Sequence, residues 1–179
     1  MPLKIASARD IVNRILREPT FVMLKIALKQ YEALRRHGEE TYPDECGGML
    51  LGRTDDSGAS VVTSVERCVN SSDSPRTTCI IEPRELVRVH RKGRERGERV
   101  VGLYHSHPDC PAHWSPGDLA GTDWFGCSVV ITSVEKGKAS ITNSFVLAGY
   151  DEDDKQLVHE KIEVDSTECP ATGGAAQIS

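Results

Sequence analysis

The chain has 179 residues, the size of one domain, and is long enough to bury a single sizeable core. With 38% hydrophobic and 27% charged residues, 15 Gly and 9 Pro, it is neither collagen-like nor wholly disordered. A formal charge of -5 argues against nucleic acid as a partner, and no apolar run approaches the ~18 residues that a membrane helix needs.

From the N-terminus, residues 7–16 place Ile11, Val12, Ile15 and Leu16 at helical spacing before Pro19. This predicts a short amphipathic helix in an extension covering residues 1–20. A main domain is expected over 21–165. It opens with a strand at 21–27 and a helix at 30–40 carrying Tyr31 and Leu34. The glycine-bounded apolar run 47–52 reads as a buried strand and the alternating stretch 59–68 as its neighbour. A polar loop at 70–76 precedes a strand at 78–81. Pro83 then starts a charged helix reaching about residue 97, followed by a continuous apolar strand at 100–105. A helix opens at Ser115-Pro116, and strands follow near 127–134, 139–148 and 157–164. The tail 166–179, with its Thr172-Gly173-Gly174-Ala175 stretch, has the composition of a disordered end. Strands interleaved with helices predict an α/β or α+β sandwich on one mixed sheet.

Six cysteines stand at 46, 68, 79, 110, 127 and 169, with no CxxC pair. That argues against a zinc ribbon and against the zinc-deaminase signature. No basic segment leads into an apolar run at the start, so reduced thiols and a cytoplasmic location are expected. Residues 83–99 are strongly basic and 151–168 strongly acidic, and both are expected to be solvated faces.

The chemistry concentrates in residues 104–118. His105 and His107 are two apart at a strand end, so both imidazoles leave the same face. Pro108 turns the chain, and Asp118 returns eleven residues after His107 in the first turn of a helix. Two nitrogens and one oxygen would leave a fourth tetrahedral position open, as catalytic zinc sites do. A bare His-x-His is weak evidence, and an ordinary histidine pair is its bland alternative. Ser115-x-x-Asp118 at this offset strengthens the metal reading.

His105-x-His107-Pro108 followed by Ser115-x-x-Asp118 resembles the signature of the JAMM (MPN-plus) metalloproteases. Glu45, in Pro43-Asp44-Glu45-Cys46-Gly47-Gly48 just before a buried strand, matches the upstream glutamate of that family. The resemblance extends over residues 22–164. It implies an α/β fold with a cytidine-deaminase-like α/β/α core, a mixed sheet flanked by helices. It also implies a zinc hydrolase acting beside ubiquitin or ubiquitin-like proteins. Zinc (Zn2+) would be held by His105, His107 and Asp118. Glu45 would be the general base and Ser115 the donor to the developing oxyanion.

Each role has a plainer counterpart. Glu45 can be a solvated carboxylate, Ser115 a helix N-cap and Asp118 a first-turn acid. Asp109, Cys110 and His113 read as loop residues over the site, and Trp114 as the residue that packs this loop onto the core. The short loops resemble the compact prokaryotic members. That implies a substrate with a C-terminal Gly-Gly: a ubiquitin-like protein in conjugation or precursor form, or a sulfur-carrier protein from which an amino acid such as cysteine is released. A non-catalytic MPN scaffold is the alternative from another class. Neither nucleic acid nor a membrane is an expected partner.

Overall fold

The computed structural model describes residues 23–149 and 154–166. The predicted helix at 7–16 and most of the predicted tail lie outside them. The elements run β1 (Met23–Ala27), α1 (Leu28–Thr41), β2 (Gly47–Thr54), β3 (Ser60–Cys68), α2 (Pro83–Glu95), β4 (Arg99–Pro108), α3 (Pro116–Ala120), β5 (Ser128–Glu135), β6 (Lys138–Ala148) and β7 (Gln156–Asp165).

β2 is central because its sequence is apolar on both faces. Leu50 joins Leu24, Leu34, Tyr104 and Val130 in the core under α1. Met49 and Leu51 point the other way, toward Val89 and Leu86 of α2. A third cluster, Ile131, Phe145, Leu147 and Ala112, packs with Leu119 of α3. One helix therefore covers one face of the sheet, and two cover the other. Pro83 and Pro116 each open their helix where a missing N–H costs nothing.

The strand order is β1-β3-β2-β4-β5-β6-β7. β4 runs antiparallel to β2 and parallel to β5, so the sheet is mixed, as predicted. It is not open, however. β1 pairs in parallel with both β3 and β7 and closes the sheet into a barrel. Hydrophobic alternation reports which face of a strand is buried but not which distant strand lies alongside, so closure is not readable from the sequence.

The predicted strand at 78–81 does not form. A single bridge joins Asn70 and Ile81. The Asn70 amide organises the segment: its Nδ2 donates to the Glu45 and Thr78 carbonyls, and its Oδ1 accepts from the Ser72 and Ile80 amides. An asparagine supplying turn contacts outcompetes a four-residue apolar run. β4 extends three residues beyond its predicted end, to Pro108, because β5 continues beside it to Val134.

Candidate metal centre

His105 and His107 leave the same face of β4 near its C-terminal end, and their Nε2 atoms lie 3.0 Å apart. Asp118 approaches from the first turn of α3. Its Oδ1 is 3.1 Å from His105 Nε2 and its Oδ2 is 3.6 Å from His107 Nε2. The three ligand atoms lie within 4.8 Å of one another. Metal–ligand bonds of ~2.0–2.2 Å at a tetrahedral angle separate two ligand atoms by roughly 3.3 Å, so the donor set fits a zinc-sized cation.

Two of the three candidate ligands, His107 and Asp118, are held from behind. His107 Nδ1 is 2.9 Å from the Pro111 carbonyl. A carbonyl only accepts, so the proton sits on Nδ1 and the Nε2 lone pair is left for a metal. The loop carrying Pro111 is tied at both sides: Ser133 Oγ donates to the Cys110 carbonyl at 2.7 Å and Asn143 Nδ2 to the Ala112 carbonyl at 2.9 Å. Asp118 sits in a capping box. Its Oδ2 accepts the Ser115 amide at 2.6 Å, and its own amide donates to Ser115 Oγ at 3.2 Å. Ser115 is thus the N-cap of α3, and a hydroxyl that accepts there still has its own proton to donate.

Electrostatics follow the geometry. Burial works against the Asp118 carboxylate, yet the two imidazoles hold it well below the ordinary carboxylate range. Burial likewise opposes a charged His107, but Asp118 and the Pro111 carbonyl raise it overall. A cation beside Asp118 would favour its ionised form in the same sense.

Glu45 lies just before β2 and is 7% exposed. Burial pushes its carboxyl up, while the imidazoles of His105 and His107 pull it down. Its amide donates to the Pro75 carbonyl at 2.7 Å. Gly47 stands directly across from His105 in the β2–β4 register, and a Cβ there would overlap Cys79 Sγ. The missing side chain therefore lets Cys79 of the loop pack directly against the strand across from His105.

A cavity of about 300 Å³ joins these groups. Glu45, His105, Ser115 and Asp118 line one part, and Ile81, Leu86, Leu103, Trp124 and Val129 another. Trp124 stacks on His90 of α2, with ring centroids 5.4 Å apart. All five residues singled out in the sequence are thus brought together. Trp114 is corrected: it is 36% exposed, and Ala112 is the residue that anchors the loop in the core. Trp124, Ser133 and Asn143 were not singled out. They come from other strands and loops, and no local spacing marks them. The described cysteines are free.

This fold and site define a domain of the JAMM/MPN class. The chain belongs to the family described as prokaryotic homologs of the JAB domain, which matches residues 28–147. Among curated proteins it is similar to a desampylase of Haloferax volcanii, at 30% identity over 114 residues, 62% of this chain and 80% of that protein. Among solved structures it resembles a protein from Desulfitobacterium hafniense with a TM-score of 0.69 and 28% identity, covering 81% of this chain and 94% of that one. A protein from Salinibacter ruber gives a TM-score of 0.62 and 32% identity, over 82% and 94%.

Proposed function

We propose that the protein is a zinc-dependent hydrolase that cleaves the peptide or isopeptide bond after the C-terminal Gly-Gly of a ubiquitin-like protein. The observation that carries this reading is a His-His-Asp donor set whose His105 and Asp118 line one cavity together with a buried carboxylate, Glu45, and a hydroxyl, Ser115. At about 300 Å³, that cavity is at the small end of ligand pockets and suits a slender tail rather than a folded domain. Glycine lets a substrate backbone approach most closely. The similarity to the protein named desampylase supports the same class of substrate.

His105, His107 and Asp118 would hold the ion. Bound zinc supplies a Lewis acid that polarises a carbonyl and acidifies a water. Glu45 accepts a proton from the attacking water and passes it to the leaving amine, so no covalent intermediate is required. Ser115 donates its O–H to the oxyanion that develops on the scissile carbonyl.

The test is cleavage of a panel of ubiquitin-like proteins and sulfur carriers fused through Gly-Gly to a reporter, an isopeptide-linked lysine peptide or a single cysteine. Metal content is measured on the same preparation. Cleavage after Gly-Gly that tracks zinc content supports the reading, and the preferred leaving group decides between deconjugation and amino-acid release. A metal-loaded protein inert toward the whole panel would overturn it in favour of a non-catalytic module.

A further inference from the structure

Ser106 lies between the two histidines, but its side chain points the opposite way, into the core under α1, where it is 1% exposed. A polar group there needs a partner, and it has one. Its Oγ accepts the Cys46 N–H at 2.9 Å, and its own N–H donates to the Cys46 carbonyl at 3.1 Å. In a regular antiparallel pair, two residues exchange both bonds through their backbones. Here the Ser106 hydroxyl replaces one backbone acceptor.

Cys46 is the residue after Glu45. We propose, on the strength of the function proposed above, that Ser106 is a positioning residue that sets Glu45 over the histidine pair. One residue, flanked by His105 and His107, grips both polar backbone groups of the residue that follows Glu45. The register continues from Gly47 opposite His105 through Cys46 opposite Ser106. The same grip therefore fixes the base relative to both imidazoles. α1 braces the grip from behind, where a Cβ on Gly38 would come within 3.1 Å of Ser106 Cβ and 2.9 Å of Val134. Removing the hydroxyl leaves the Cys46 N–H, in a residue 2% exposed, without its acceptor. The Glu45–Cys46 segment then shifts to find another, while His105 and His107 stay in the β4 ladder with β5.

The variants are Ser106→Ala and Ser106→Thr, compared with wild type. Zinc affinity is read by chelator competition, kcat and KM on a cleaved Gly-Gly fusion, and the Glu45 carboxyl carbon by NMR, assigned by its loss in Glu45→Gln. Ser106→Ala is expected to keep zinc affinity within about 3-fold and KM within about 3-fold. Its kcat should fall ~10–100-fold, the range for a misplaced group supported from behind. The Glu45 resonance moves with it, and Ser106→Thr, which keeps the oxygen, recovers both. Wild-type kcat in Ser106→Ala, a zinc affinity that falls in step with kcat, or a Glu45 resonance that does not move would each overturn the proposal. So would a Ser106→Thr as slow as Ser106→Ala. If Ser106→Ala does not fold, Ser106→Cys takes its place as the variant with a weak acceptor. The resonance and the zinc affinity need no substrate, so a wild-type protein inert toward every fusion counts against the proposed function and leaves the Ser106 assignment to be decided by those two readouts.

Discussion

His107 is tied to the Pro111 carbonyl through Nδ1 and turned toward Asp118 through Nε2, so its ring has one useful orientation. His107→Ala removes a donor and is expected to lose zinc and hydrolysis together. Glu45→Gln removes no donor. It should keep zinc and the fold while hydrolysis drops ~10²–10⁴-fold, because an amide cannot take a proton from water. Metal analysis beside fusion cleavage separates the two variants, and a Glu45→Gln protein that sheds its zinc would refute the assignment. Asp118 has two duties that Asn can divide. Asp118→Asn still offers an oxygen to the Ser115 amide, so α3 stays capped, while the ion loses its anionic ligand, affinity falls and the loaded protein melts lower. Calorimetry and chelator competition check the pair. The three candidate ligands stand out in the sequence because they fall on one strand and the helix that follows it. Their supports do not, since Ser133 and Asn143 reach in from β5 and β6.

At the level of elements, the close approach of α1 to β4 carries a measurable consequence. Gly38 is buried in α1, and a Cβ there would meet Val134 Cγ2 at 2.9 Å and Ser106 Cβ at 3.1 Å. Gly38→Ala gains ~1 kcal/mol of helix propensity. Overpacking against Val134, which is 0% exposed, costs ~1–3 kcal/mol and has no flexible chain end to absorb it. A net loss of stability is expected in denaturant titration, and a more stable Gly38→Ala protein would show that the strand yields. α2 is attached differently. Lys92 reaches the buried Glu66 of β3 at 2.7 Å, with Arg88 3.8 Å from the same carboxylate. β2 and β4 were readable as continuous apolar runs because both of their faces are covered. The 78–81 segment has a strand-like pattern but forms no strand, because the side-chain contacts of Asn70 override a short apolar run.

The closed sheet is the feature of the whole molecule that local patterns carried least. β1 has five residues, yet it joins β3 to β7 across most of the chain. Closure removes the sheet's free edges and leaves Glu160 of β7 facing inward, 2% exposed. Ser144 Oγ of β6 donates to its Oε2 at 2.6 Å. Burial outweighs the pull of that hydrogen bond and raises the Glu160 pKa. The sign is then set. The folded protein binds this proton more tightly than the unfolded chain does. The contribution of Glu160 to stability is full below the unfolded pKa of ~4.3 and is lost as pH rises through the folded value. Glu160→Gln keeps an oxygen for Ser144 and carries no charge. It is expected to be more stable than wild type at neutral pH, because it needs no bound proton to stay neutral inside the barrel. That advantage should shrink toward zero as the pH is lowered into the acid range. Denaturant titrations of both proteins across pH measure the gap, and a gap that stays constant with pH would mean that the Glu160 carboxyl is fully compensated inside the barrel.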